Sequence, residues 1–219
     1  MIIGESGSGK TVTMKCLVGL LEPDKGTVLY DGRDFTGMNL KQRKQVRREM
    51  GMLFQGAALF DSMTVEENVM FPLNMFAEMT EEEKLGRANF CLQRVNLENA
   101  NGKFPSEISG GMKKRVAIAR AIVLQPKYLF CDEPNSGLDP KTSTVIDDLI
   151  QEITYEYQMT TLVISHDMNS VMEIGDKIAF FCNGKKVWEG SNKDILEATN
   201  EELVDFVYAS KFLKSLKNK

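Results

Sequence analysis

The stretch GESGSGKT, Gly4 to Thr11, leaves a chain few ways to fold. It fits the pattern G-x-x-x-x-G-K-[ST], with the apolar pair Ile2-Ile3 before it and a helix-like run after it. Glycines let successive backbone N–H groups turn inward and form a nest for oxygen atoms. A helix starting at about Lys10 adds the positive end of its dipole at the same place. Lys10 is then placed to reach the β- and γ-phosphates of a nucleoside triphosphate, and the Thr11 hydroxyl to hold Mg²⁺. At average glycine usage, a chance match in a chain of this length is on the order of one in a hundred. The motif therefore demands a strand, a phosphate loop and a helix in that order.

The rest of the chain supplies more alternating strands and helices. Apolar strands are expected at Met50–Phe54, Tyr128–Cys131 and Thr161–Ile164, and a hairpin over Ile178–Glu189 turns at Asn183-Gly184. Capping boxes at Thr64/Glu67, Thr80/Glu83 and Thr199/Glu202 mark helix starts, and Asp139-Pro140 marks another. The helix after the loop is expected to run from Thr13 to Leu21, and the second boxed helix to bury Leu85, Ala88, Leu92 and Val95. GTVLYDG, Gly26 to Gly32, reads as a strand in a small antiparallel sheet. The pattern implies an α/β fold with a mainly parallel sheet and right-handed crossovers. In such sheets ligands sit beyond the carboxyl ends of the strands. The phosphate loop, Gln55, Asp132-Glu133 and His166 all follow a strand, so the topology converges them on one edge.

Three further features carry chemistry. Asp132-Glu133 follows YLFC, where one carboxylate can hold Mg²⁺ and the next can deprotonate water. His166, the single histidine, sits at a strand end where its imidazole can contact a terminal phosphate. Ser109-Gly110-Gly111 opens another helix, a second anion-binding N-terminus. One chain needs one triphosphate cradle, so the second implies a pocket completed by another copy in a head-to-tail dimer.

The ordered set GESGSGKT, Gln55, ISGGM, YLFCDE, SGLD and SHD resembles the nucleotide-binding subunit of ABC transporters over essentially the whole chain. The resemblance implies a P-loop NTPase (RecA-like) core with a small antiparallel β subdomain and an ABC-specific helical subdomain over about 73–115. Residues 1–219 would form a single ABC ATPase domain, with a C-terminal hairpin and helices over 177–216. Gly4, Glu5, Ser6, Gly7, Ser8, Gly9, Lys10 and Thr11 correspond to the Walker A loop. Gln55 corresponds to a glutamine that ligates Mg²⁺ and water and senses the permease. Ser109, Gly110 and Gly111 are the signature that contacts ATP across the dimer, where Met112 replaces the frequent glutamine. Asp132 is the expected metal ligand beside Thr11 and Gln55. Glu133, His166 and Lys10 are the expected catalytic residues, and Asp139 belongs to a loop that communicates across the dimer.

The cofactors implied are ATP and Mg²⁺. The partners implied are a second copy in an ATP sandwich and an integral membrane permease, at the cytoplasmic face of the inner membrane. MGMLFQGAALFDSMTVEENV, FPSEISGGMKKRVAIARAI and EPNSGLDP are more closely similar to the ATPase of MCE-type (Mla) phospholipid transport systems. That implies an MCE-domain protein as a further partner. Lipoprotein-release, cell-division and amino-acid transport ATPases share much of this wording, so a peptide or small-solute cargo stays open. A soluble ABC ATPase acting on DNA or ribosomes is the other alternative.

Composition bears on the partners. With 27 basic and 31 acidic residues the net charge is −4, which gives no reason to expect nucleic acid. Arg120 interrupts the apolar run VAIARAIVL, so no membrane-spanning helix is expected. Cys16, Cys91, Cys131 and Cys182 lack C-x-x-C spacing and read as buried thiols. The methionine- and phenylalanine-rich segment from Ala57 to Met79 is expected to face the permease. A phosphate loop at residue 4 leaves no aromatic platform for adenine before it. The sequence is therefore expected to be an N-terminally shortened form that binds triphosphates weakly.

Overall fold

The computed structural model describes residues 1–208, so the part of the expected C-terminal helix beyond Tyr208 lies outside the described residues. β1 (Ile2–Gly4) enters the phosphate loop, and α1 (Lys10–Leu17) leaves it. Among the described residues the small antiparallel sheet is a two-residue ladder, β2 (Leu29–Tyr30) with β3 (Arg33–Asp34). Then come α2 (Leu40–Arg48), β4 (Met50–Leu53), α3 (Val65–Phe76), α4 (Glu81–Arg94) and α5 (Gly110–Ile122). The chain continues through β5 (Tyr128–Asp132), α6 (Pro140–Glu156), β6 (Thr160–Ile164) and α7 (Met168–Ile174). β7 (Ile178–Cys182), β8 (Lys185–Gly190) and α8 (Glu201–Val207) complete it.

The main sheet has the order β4-β5-β6-β1-β7-β8, and all neighbours are parallel except the β7–β8 hairpin. Asn183 and Gly184 turn that hairpin with φ of 48° and 76°, the paired positive values the tight turn requires. β5 is buried along its whole length, as a central parallel strand should be. One apolar core joins Leu53, Leu129 and Val163 of the sheet to Val69, Leu92, Val116 and Ile150 of the helices. The helical layer made by α3, α4 and α5 begins at Val65, upstream of the position near 73 expected from sequence. Within the Ala57–Met79 segment, Val65, Val69 and Leu73 fill that core, whereas Phe60 and Met75 remain exposed.

Several local readings need correction. α1 stops at Leu17 because Gly19 takes a left-handed φ of 71°, and Leu20 and Leu21 lie exposed beyond it. Leu85 points outward on α4, while Ala88, Leu92 and Val95 are buried as expected. Thr64 and Thr80 close the two expected capping boxes, but α8 is capped by Asn200, which accepts from Leu203 N, and not by Thr199. α2 carries a box that the sequence reading overlooked, Asn39 with Gln42. Cys91 and Cys131 are buried as expected, whereas Cys16 and Cys182 are only half-buried.

α5 lies close against β4. A Cβ at Gly51 would overlap the Ala121 carbonyl, so glycine sets the distance between helix and strand. Gly51→Val should push α5 off the sheet and cost about 1–3 kcal/mol as an overpacking change. Urea denaturation measures it, and an unchanged midpoint would show that the contact yields freely.

Candidate functional site

Parallel register brings the strand ends level. Ile164 pairs with Asp132 on one side and with Ile2 on the other. The residues that follow, Glu133, Ser165 and the phosphate loop, therefore emerge side by side at the carboxyl edge. They line a cleft of about 1200 Å³ with Lys10, Gln55 and His166.

The loop is built as the motif requires. Gly4, Gly7 and Gly9 have φ of 146°, 82° and 97°, values that side chains rarely adopt. A Cβ at Gly4 would also overlap the Phe181 carbonyl of β7. Gly9 caps α1 with no side-chain hydrogen bond, which leaves the first amides of the helix for a ligand. Glu5, Ser6 and Gly7 are exposed on the loop. Ser8 Oγ is buried without a partner among the described residues. Lys10 is buried, and its Nζ donates to the carbonyls of Gly4 and Glu5, each at 2.8 Å.

The acidic pair sits beside the loop. Thr11 Oγ1 donates to Asp132 Oδ1 at 3.3 Å, which joins two residues 121 positions apart. Burial raises the Asp132 carboxyl above its ordinary range. The Thr11 hydrogen bond opposes that shift, the Glu133 charge adds to it, and Lys15 and Lys10 oppose it in turn. A buried carboxylate held against a hydroxyl, with a second acid next to it, is an oxygen donor set suited to a hard divalent cation such as Mg²⁺. Glu133 has a left-handed φ of 49°, a strained value for a side chain of this size. Its Oε2 lies 2.8 Å from Nδ1 of His166, whose side chain is 66% exposed.

Gln55 is exposed at the cleft, and its backbone is held from behind. Lys114 of α5 is buried, and its Nζ donates to the carbonyls of Gln55 and, at 3.4 Å, Glu133. Burial pushes the Lys114 ammonium below its ordinary range, and the nearby Glu133 and Asp132 carboxylates oppose that shift. Arg120, two turns further along, donates to the carbonyls of Ala58 and Ala57 at 2.8 and 2.7 Å. Asn68 of α3 accepts from Phe60 N at 2.8 Å and donates to the carbonyls of Phe60, Met63 and Thr64. The sequence reading missed all three as loop holders. Arg120 alone carried a signal, as a charge inside an apolar helical run that demands buried partners.

Ser109, Gly110 and Gly111 do not line this cleft. Ser109 caps α5 by accepting from Met112 N at 3.2 Å and, like Gly110, is exposed. A Cβ at Gly111 would crowd Thr142, so the signature packs against the start of α6. Asp139 caps α6, accepting from Thr142 N at 3.0 Å and from its hydroxyl at 2.5 Å. Ser109, Gly110 and Asp139 are exposed and Gly111 is half-buried. None of the four lines the cleft, although Leu138 and Pro140 on either side of Asp139 do, together with Lys10, Thr11, Gln55, Glu133 and His166, while buried Asp132 joins the cleft through Thr11. Among the described residues no helix is long and apolar enough to cross a membrane.

The chain is similar to a methionine import ATP-binding protein MetN 1 of Oceanobacillus iheyensis, with 41% identity over 94% of the chain and 61% of that protein. It is also similar to a probable ribonucleotide transport ATP-binding protein of Mycobacterium leprae, with 38% identity over 93% of the chain and 58% of that protein. The chain thus spans about three fifths of these curated relatives. Among solved structures, a dimeric ATP-binding cassette in a post-hydrolysis state bound to ADP and Pi superposes with a TM-score of 0.79. It is 32% identical and matches over 87% of this chain and 84% of that one. The cbiO1 cassette of Clostridium perfringens superposes with a TM-score of 0.82 at 27% identity, over 100% of this chain and 87% of that one. Residues 1–136 match the model of the ABC transporter family, and with the cleft, loop and fold described above, the chain belongs to that family.

Proposed function

We propose that the chain is an ATP-binding and ATP-hydrolysing subunit that dimerises around two ATP·Mg²⁺ and drives a membrane permease. The observation that carries this reading is the convergence of Lys10, Thr11, Glu133 and His166 on one cleft from three strand ends, with Asp132 bonded to Thr11 beside it. The loop amides and Lys10 bind the phosphates and stabilise charge on the transferring phosphoryl group. Thr11, Gln55 and Asp132 are the residues that hold Mg²⁺, which supplies charge neutralisation between the phosphates.

Glu133 accepts a proton from the water that attacks the terminal phosphorus. The new P–O bond forms as the bridging P–O bond breaks, releasing ADP and phosphate. His166 holds Glu133 through Nδ1 and contacts the terminal phosphate when one is bound. Ser109, Gly110 and Asp139, exposed, and half-buried Gly111 face the nucleotide of a second copy, a reading supported by the dimeric cassettes the chain resembles. Exposed Phe60 and Met75 form part of the permease-facing surface.

For the cargo, relatives named for methionine import and ribonucleotide transport support a small solute. They lend no support to the phospholipid cargo, or the MCE-domain partner, expected from the sequence. The discriminating experiment purifies the chain with its permease and follows phosphate release with L-methionine or phospholipid vesicles added. Stimulation by methionine supports a small-solute importer, and stimulation by phospholipid alone overturns it.

Two substitutions test the chemistry. Glu133→Gln keeps the shape of the side chain but accepts no proton, so it should bind ATP and accumulate a dimer on size exclusion. Turnover should fall by about a hundred- to ten-thousandfold, the range for loss of a general base. Near-normal phosphate release would remove Glu133 from the role. Ser109→Arg should spare ATP binding at the loop yet block dimer closure and hydrolysis. Full activity in that variant would refute a pocket shared between copies.

A further inference from the structure

A buried polar cluster lies behind the cleft. Asp147, on α6 among the core residues Ile146, Leu149 and Ile150, is 2% exposed. Its Oδ2 accepts from Asn135 Nδ2 at 2.7 Å and from the Ser170 hydroxyl at 2.6 Å, and Asn135 Nδ2 also reaches Ser170 Oγ at 3.1 Å. Asn135 follows Glu133 by two residues, in the turn closed by Ser136 N donating to Glu133 O. Ser170 follows His166 by four residues, in the first turn of α7. One carboxylate oxygen therefore ties together the turn carrying Glu133, the helix that follows His166 and the helix that opens at Asp139.

A carboxyl group in this setting is costly. Burial pushes the Asp147 acid up to about 6, against the Ser170 and Asn135 hydrogen bonds. Asp147 Oδ1 and Asn135 Oδ1 are buried without a hydrogen-bond partner among the described residues. An apolar side chain of similar volume would hold the helix to the core at less cost. What an apolar side chain cannot do is fix the spacing of two loops through directional bonds that converge on one atom.

We propose that Asp147 is the positioning residue for the Glu133–His166 pair. It touches no reacting group, and it sets where both partners stand by anchoring the chain just beyond each of them. This rests on the reading of Glu133 as the proton acceptor. A shift of about 1 Å in either loop breaks a bond to Oδ2 and misaligns the carboxylate, an error able to cost on the order of a hundredfold in rate.

His166 is the only histidine in the sequence, so an untagged full chain gives a single imidazole Cε1–H resonance that reports on the pair without ATP. The experiment records that resonance in the wild type, Asp147→Ala, Ser170→Ala and Asp147→Asn, with Glu133→Ala as the reference for a broken pair. Asp147→Ala should move the line towards its position in Glu133→Ala. It should also lower kcat about ten- to a hundredfold while KM for ATP changes less than about threefold. Ser170→Ala removes one donor and should move both readouts in the same direction by less, and it serves if Asp147→Ala does not fold. Asp147→Asn keeps an oxygen that can accept from Asn135 Nδ2 and the Ser170 hydroxyl, and should rescue both readouts. A histidine line that stays at its wild-type position in Asp147→Ala and Ser170→Ala overturns the proposal, whatever the hydrolysis rates. A wild type that binds ATP but never hydrolyses it would instead strike the reading of Glu133.

Discussion

The backbone ladder between β5, β6 and β1 is the interaction on which the site depends. Asp132, Ile164 and Ile2 stand in one row, so Glu133, Ser165 and the phosphate loop leave the sheet within a residue or two of the same level. Strand register is quantised. A slip of one residue would send Asp132 to the opposite face and carry Glu133 past the loop. The burial of β5 on both faces penalises such a slip, since nearly every side chain on it would meet the wrong neighbours. The geometry of the cleft is thus set by core packing several residues below it.

Above that ladder the loops have no sheet partners, and buried polar side chains hold them. Lys114 and Arg120 on α5 and Asn68 on α3 bind the carbonyls of residues 55 to 64. Such groups are costly to bury alone and directional once paired. α5 can serve this purpose because Gly51 admits it close to β4. The helix that presents Ser109-Gly110-Gly111 at its exposed end therefore grips the segment after Gln55 with its buried side. The two are joined through bonds to backbone as well as by side-chain packing.

The parts of the site legible in the sequence are those whose signal is local. GESGSGKT states its own loop, apolar strands announce their ends, and Asp139-Pro140 and the Thr64 and Thr80 boxes announce helix starts. What was missed depends on partners far along the chain. Lys114 stands within the basic triplet Lys113-Lys114-Arg115, which carries no local sign of burial, and its partner carbonyl is 59 residues away. Asp147 stands beside Asp148 with no local sign of burial, and its partner Ser170 on α7 lies 23 residues further on. Leu20 and Leu21 were overread because apolar periodicity continues past Gly19, whose backbone conformation ends the helix first.

Lys10 has a consequence of its own. Its ammonium group bridges two carbonyls of the loop it belongs to, so the chain carries an internal counter-charge that holds the ring of amides open. These two bonds are made within the loop itself, without a ligand. An incoming anion must then compete for an ammonium that already has two good acceptors at 2.8 Å. A dilute, weakly charged monoanion gains little from that exchange, whereas a polyphosphate that also engages the helix N-terminus gains at both ends. Charge density therefore decides any exchange between an anion and the loop's own two carbonyl oxygens at this ammonium.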